Sequence, residues 1–455
     1  MGGGGGTAEP ARSGYQRLPV TLPRLLRLAA PLVVNNVFYL GINVADTVMA
    51  GRLTPADLAA VAVASSVWLS VYLFGYGVLM GLGPVVAHHF GAGRRTEIAH
   101  DVRQALWLAV AVAVAIILVL LNVRGLLDAM QVAPHVVELA AGYLYATAWG
   151  VPGLLFYQTI RQACEGLGRT LPIMGVMSIA LPINVGLNYV FIYGALGNPA
   201  LGAVGCGVGS AITYWLMCLM LSCYTAFRQP YRDLGIWRRI EGIDRARIGA
   251  LVTIGLPLGI SLGMQTGLFA VATLLLGRFG VNTVAAHQIG VNFSALMFMV
   301  PLALSMGTTI LVGQSMGSGD RTDAIRAFRL GTVAAFGFML ASAAATVILA
   351  PVIAAAYTPD PAVQAVAITV LRLSALLQLG DALQVSVGGA LRGLKDTRVP
   401  MVLNAAVYWL FGFPCAWLLG VELGHGLPGV WAGLIAVLWV QALVLGLRLR
   451  HVFGR

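Results

Sequence analysis

The chain has 455 residues, 59% of them hydrophobic and only 10% charged, with a formal net charge of +11 and a mean hydropathy of +0.86. A soluble domain carries roughly a quarter charged residues, so a water-soluble globule is excluded and the solvent must be lipid. The basic residues are divided among separate loops, which argues against a nucleic-acid surface.

Residues 1–24 begin "MGGGGGTAEPARSG", rich in glycine with proline and no apolar period, and are expected to be a disordered cytoplasmic tail. The Gly2 of a myristoylation signal is there, but the sixth position lacks Ser or Thr. No cleavable signal peptide is expected before the first span. Twelve apolar runs follow, with cores near 26–50, 58–86, 104–122, 139–160, 171–193, 203–224, 250–276, 284–312, 328–354, 366–391, 400–419 and 428–447. A spanning helix needs about 20 apolar residues. Barrel strands are about ten residues long and alternate, so these runs predict an all-α polytopic bundle of twelve transmembrane helices.

The first run ends in "NVADTVMAGRL", with a carboxylate, Asp46, inside apolar sequence. Asn35, Tyr39 and Asn43 lie 11, 7 and 3 residues before it and share its helical face. A mid-helix carboxylate costs about 2.5–3.5 kcal/mol on insertion scales, so the stripe implies a polar wall facing the bundle or water. In the fourth run, Glu138 and Glu165 lie near the ends and are expected at the interface. The fifth run carries the i,i+4 pair Asn184 and Asn188, and the eighth carries Gln288 and Asn292 at the same spacing beside His287. Such amides serve equally as interhelical hydrogen-bond glue or as ligands. His287 is expected to be a satisfied polar residue rather than a proton relay. The tenth run, "LSALLQLGDALQVSVGG", places Ser374, Gln378, Asp381 and Gln384 within one face about 120° wide. Interior prolines at 31, 152, 182, 257 and 301 are points where helices can break.

Arginines concentrate in the N-terminal tail, after every even-numbered run and at the C-terminus, whereas the alternate loops hold little more than Arg52, Arg124 and Arg278. This positive-inside alternation places both termini in the cytoplasm. The expected location is the bacterial inner membrane.

Shifting the chain by 226 residues aligns 31–96 with 257–322 without a gap, giving 15 identities in 66 positions. "PLVVNNVFYLGINVADTVMAGRL" falls on "PLGISLGMQTGLFAVATLLLGRF". Weaker echoes follow, such as "GLGRT" at 166–170 with "GLKDT" at 393–397. Each half has six runs, so both enter the membrane in the same direction. Two lobes, 25–225 and 250–455, are therefore expected about a pseudo-two-fold along the membrane normal, joined by a basic linker at 226–249. Parallel repeats suit a transporter with its substrate site between the halves.

Enzyme signals are poor. "GQSMG" at 313–317 matches a nucleophile-elbow pattern but follows a spanning run rather than a strand. Lys395 is the only lysine and no phosphate-binding loop contains it. The five cysteines form no CxxC pair and are expected to pack. No enzyme activity and no cofactor are expected. Energy would come from an ion gradient.

"VADTVMAG", "VAAHQIGVNFSALMFMVPLALSMG" and "ALRGLKDT" resemble the multidrug and toxic compound extrusion (MATE) family, in its NorM-type bacterial branch. The resemblance covers essentially the whole chain after the tail. It implies two six-helix lobes forming a V, and export of small organic cations by Na⁺ or H⁺ antiport. Asp46 matches the family's first-helix aspartate of an N-lobe cation site, and Asn184 the fifth-helix asparagine, so these two are the expected Na⁺ ligands. Asn188 and Ser210 fall where some members have aspartate and threonine, and join them as cation-coupling residues. Asp381 matches the tenth-helix aspartate of the C-lobe. Gln265 stands where members often have a glutamate. An amide carries no proton, so the coupling site is placed in the N-lobe. Asp381, Gln265, Tyr39, Asn43, Gln288, Asn292 and Gln378 are the expected cleft residues, with Phe38, Met264 and Phe269 as further candidates against flat rings. The chain is expected to be a monomer in contact with lipid and without nucleic acid. A lipid or lipid-linked precursor flippase on a similar scaffold is the alternative; it would call for a basic central cavity, whereas the embedded ionisable residues here are mainly acidic.

Overall fold

The computed structural model describes residues 19–129, 133–197, 199–239 and 241–454. Most of the tail expected at 1–24 therefore lies outside the described residues, and its last part is helical instead. Thr21 is extended and Pro23 occupies the first turn, where its missing N–H costs nothing, so the first helix starts at Leu22.

The first lobe holds α1 (Leu22–Gly51), α2 (Pro55–Gly91), α3 (Arg95–Leu121), α4 (Pro134–Ala148 and Val151–Gly166), α5 (Leu171–Tyr193) and α6 (Ala203–Phe227). The second holds α7 (Arg245–Phe279), α8 (Val281–Gly317), α9 (Arg321–Tyr357), α10 (Pro361–Gly393), α11 (Arg398–Glu422) and α12 (Gly426–Gly454). All twelve predicted runs are helices long and apolar enough to span, α4 counting as one bent span. The helices start where the sequence supplies caps. Thr54 accepts from the Asp57 N–H ahead of α2, Asp244 from two N–H groups of α7, and Asp320 and Asp360 from one N–H each, of Asp323 and Ala362, at the starts of α9 and α10.

The fourth run is not straight. Its halves meet at 51° across Trp149 and Gly150. Pro152 has no N–H to bond the Ala148 carbonyl, which releases the turn. Gly150 lets α6 close on the bend: a Cβ there would come 2.5 Å from the Ala211 Cα. In α11, π-helical turns over Ala406–Gly412 and Leu418–Glu422 interrupt the regular winding.

Each half has its own core. One cluster runs from Leu32 through Trp68, Leu144 and Tyr214 in the first lobe, and a second gathers Leu268, Trp431 and Val437 in the other. A third crosses between them: Leu25, Leu28 and Ala29 at the start of α1 pack with Leu304, Leu311 and Leu391 of α8 and α10. The reverse exchange joins Leu251 of α7, with Ala303 and Met306 of α8, to the first lobe's core. α1 and α7 therefore each root in the opposite lobe.

These junctions lie at the end of the bundle that carries the arginine-rich loops, called here the basic end. An added Cβ on Gly81 of α2 would come 2.8 Å from the Gly255 nitrogen of α7, so the two backbones touch. Side chains bond across the lobes at the same end: Arg24 donates to Gln314 (3.0 Å), Gln314 donates to the Gly166 carbonyl (3.0 Å), and His88 Nε2 meets the Gly393 carbonyl (2.9 Å). Arg247 of α7 pairs with Asp101 (3.0 Å) and Glu97 of α3. Toward the other end Val44 and Val48 of α1 and Leu274 of α7 are exposed. The lobes are closed at the basic end.

Candidate functional site

Three helices of the first lobe bring polar groups to one buried point. Asp46 comes from the far half of α1 and is 4% exposed. On α5, Asn184 and Asn188 stand one turn apart and are both fully buried. On α6, Ser210 and Thr213 face them from the next helix. Asn188 Nδ2 donates to Asp46 Oδ1 (2.5 Å) and Ser210 Oγ donates to Oδ2 (3.4 Å). Asn188 Nδ2 also reaches Asn184 Oδ1 (3.3 Å), and Asn184 Nδ2 lies 3.5 Å from Thr213 Oγ1.

An ionised carboxylate has about four acceptor sites. Asp46 fills two of them, and both donors are neutral. No Lys or Arg pairs with it among the described residues. Asn188 Oδ1 is buried with no hydrogen-bond partner. The cluster thus offers carboxylate, amide and hydroxyl oxygens with unused capacity, the hard donors that suit a small hard cation. A desolvated carboxylate of this kind equally suits a proton. Among the described residues no group of three His, Cys, Asp or Glu is placed to hold a metal ion, so a cation here would rest on amides and hydroxyls around one carboxylate.

The stripe on α1 divides. Asn35 and Asp46 are buried, Tyr39 is half-buried and Asn43 is exposed, bonding the Tyr39 carbonyl of its own helix. The Asp46 carboxylate points into the first lobe, between α5 and α6. A helix rooted in one lobe and ending in the other turns different faces to each, which spacing along one helix cannot show.

Tyr39 begins an aromatic column that the sequence reading missed. It stacks on Tyr72 (6.0 Å between centroids), which stacks on Trp68 (5.6 Å) and Tyr76 (5.7 Å), and Trp68 stacks on Tyr214 (6.1 Å). Gln158 of α4 donates to the Tyr72 hydroxyl (2.5 Å). The spacing of Trp68, Tyr72 and Tyr76 at i, i+4 and i+8 was the available signal.

The second lobe is built otherwise. Asp381 is half-buried and its Oδ1 has no hydrogen-bond partner. Gln378, expected beside it, turns away and accepts from Ser342 of α9 (2.8 Å). Gln384 reaches the Tyr408 hydroxyl (3.3 Å). Gln265 is half-buried, and Gln288 and Asn292 are exposed. The structure does not gather these amides around Asp381 as α5 and α6 gather theirs around Asp46. His287 is buried against Trp431, with Nε2 3.0 Å from the Thr273 hydroxyl. Phe38 packs on the first lobe's core, and Met264 and Phe269 on the second's.

Glu165 also departs from expectation. Glu138 is exposed beside Arg124, but Glu165 is buried and ion-paired with Arg161 (2.7 Å). Together with Gln162 and Thr309 it lines a cavity of about 30 Å³ between the lobes, and Arg392 of α10 lines the opposite side. Closure of the basic end covers it, so distance from a helix terminus misjudged its exposure. Gln314 of the "GQSMG" stretch belongs to this closure and to no nucleophile elbow.

A family model described as MatE matches this chain twice, at residues 31–190 and 257–418, one match in each repeat. The multidrug resistance protein MdtK of Yersinia pseudotuberculosis serotype O:1b is 42% identical over 443 residues, covering 96% of both chains, and that of Yersinia enterocolitica serotype O:8 is 41% identical over the same length. In fold the chain is similar to a multidrug resistance MATE family transporter of the MOP superfamily in an outward-facing conformation (TM-score 0.86, 21% identity, 95% of this chain and 96% of that one). It is also similar to the eukaryotic MATE transporter AtDTX14 (TM-score 0.83, 20% identity, 93% and 94%).

Proposed function

The chain belongs to the MatE family of membrane transporters, and from that premise we propose that it is a secondary active multidrug exporter. It expels amphipathic organic cations in exchange for Na⁺ or H⁺, by alternating exposure of a site between its lobes. The arginine-rich end and both termini face the cytoplasm of a bacterial inner membrane, and the molecule works as a monomer.

The observation that carries this reading is the buried Asp46 carboxylate with neutral donors and a free Asn188 oxygen beside it. Asp46, Asn184, Asn188 and Ser210 are the coupling-ion residues, and Thr213 joins them. An arriving Na⁺ would draw on the Asp46 and Asn188 oxygens, which requires the Asn188 amide to turn from donor to acceptor. An arriving proton would convert Asp46 from acceptor to donor. Either event rearranges the bonds that hold the far half of α1 against α5 and α6. Because the near half of α1 is rooted in the other lobe and the helix runs unbroken through Pro31, a change at Asp46 is felt at the lobe junction. Asp381 and the half-buried Tyr39, Phe38 and Gln265 contribute to the cargo surface, which one state of the exchange opens to the outside. Ion and cargo then compete because each favours a different state.

Efflux of ethidium or norfloxacin from loaded vesicles, with Na⁺ and pH gradients imposed separately, tests this. Export should follow at least one gradient. Efflux indifferent to both would refute antiport and favour the flippase reading.

A further inference from the structure

We propose that the groove between α3, α4 and the interlobe linker is a binding site for one anionic phospholipid of the surrounding leaflet. The groove has a volume of about 220 Å³ and is lined by Arg103, Trp107, Val110, Phe156, Trp237 and Arg239, among others. That is below the roughly 300–1,000 Å³ of drug-sized sites, and the groove lies on the outer wall, where Trp107, Val110 and Trp237 are exposed. It is graded along its length. Arg103 and Arg239 mark one end, and Leu106, Val110 and Phe156 the other. Arg103 is the last charged residue of α3 before an uncharged run to Val123, so this gradient coincides with the boundary between headgroups and hydrocarbon. Two tryptophans at that level match the interfacial preference of indole rings.

The charge is complementary to a phosphate. Glu241, the groove's carboxylate, is already taken: it accepts from Arg103 (2.5 Å) and pairs with His100, and burial is slight, so these two partners hold its carboxyl below the usual range. Arg103 also donates to the Gly235 carbonyl (2.9 Å), yet its buried Nε has no acceptor. Arg239 is exposed and pairs with no carboxylate among the described residues. The wall itself is rigid, since Gln104 and Trp107 bond the Gly242 and Glu241 carbonyls (2.8 and 2.9 Å), and Trp237 bonds Thr225 of α6 (3.1 Å). A phosphodiester beside the exposed Arg239, with its first acyl segment along Leu106, Val110 and Phe156, follows the groove's gradient from charge to hydrocarbon.

The test is quenching of tryptophan fluorescence in the detergent-solubilised full chain by dibrominated phosphatidylglycerol, compared with dibrominated phosphatidylcholine. Saturable quenching by the anionic lipid is expected, weak quenching by the zwitterionic one, and loss of the saturable part in Trp107→Phe/Trp237→Phe. Arg239→Gln should raise the half-saturating concentration about fivefold, the worth of one arginine at an anionic lipid surface. Equal quenching by both lipids, an unchanged titration in Arg239→Gln, or displacement of the lipid by millimolar inorganic phosphate would each overturn the proposal. If the double tryptophan variant does not fold, Arg239→Gln decides alone, because its exposed side chain holds nothing together.

Discussion

Asp46 and Asp381 are mid-helix carboxylates, one in each lobe, with no cationic partner among the described residues, and the repeat does not relate them. The 226-residue shift sets Ala272 against Asp46 and Gln265 against Tyr39. Ala272 lies in the second lobe's apolar core. The first lobe surrounds its carboxylate with α5 and α6 amides and hydroxyls and seals it from solvent, whereas the second leaves the half-buried Asp381 with a buried oxygen that no group bonds and sends Gln378 toward α9. Two copies of one scaffold have thus kept their helix packing and separated their polar chemistry. A buried, partly satisfied carboxylate is suited to capture a small ion. A half-buried one with no donor on its Oδ1 is suited to attract a larger cation, since the attraction grows as the local dielectric falls.

Asp46→Asn breaks the comparison at its strongest point. It should lower gradient-driven efflux about 100-fold, near the upper end of site-to-site coupling, while membrane levels measured by immunoblot stay normal. Wild-type rates would show that the buried cluster is structural only. Asn188→Leu removes the shorter hydrogen bond to a charged group, worth about 2 kcal/mol. The ion concentration for half-maximal transport should rise roughly 30-fold, with cargo affinity in the absence of ion little changed. Asp381→Asn sharpens the contrast: cargo binding should weaken only about fivefold, a coupling-scale minimum, and the ion dependence should keep its shape. A larger loss there than at Asp46 would mean that the lobes' roles are reversed.

A smaller effect concerns the linker that joins the lobes. Arg103 and His100 hold the Glu241 carboxyl below its usual range, so the folded strap favours the ionised form. This contribution is complete above the unfolded value of about 4.3 and is lost as pH falls through the lower folded value. Amide exchange over residues 235–244, relative to its intrinsic rate, should therefore rise below about pH 4, whereas in Glu241→Gln it should already be raised at neutral pH and show no such step, with the protein still transport-competent. Exchange that is flat with pH in the wild type would remove the strap's electrostatic basis.

Much of this asymmetry was legible in the chain before its fold. The twelve helices follow from the length of the apolar runs, and the i,i+4 pair Asn184 and Asn188 already shares one face. What the sequence hid depends on contacts between distant segments. Thr213 was overlooked because it stands on α6 with no polar neighbour at helical spacing except Ser210, and only packing against α5 brings it near Asn184. Glu165 lies one residue from its helix end, which suggests solvent, yet the opposing lobe covers it. Gln378 and Asp381 are three residues apart and share a helical face, but a wide face on a buried helix meets two neighbours, and Gln378 serves α9. The 51° break in α4 could be suspected at Pro152, though its direction is set by the approach of α6 to Gly150.

In the proposed mechanism ion and cargo act on each other through the Asp46 cluster. Equilibrium binding of a fluorescent organic cation such as ethidium, titrated with Na⁺ and separately with acid in the wild type, Asp46→Asn and Asp381→Asn, measures this directly. The wild type and Asp381→Asn should show cargo affinity falling as Na⁺ or H⁺ saturates, by the same factor that cargo weakens ion binding, while Asp46→Asn should bind cargo independently of both ions. An ion-dependent shift of equal size in Asp46→Asn would contradict the assignment.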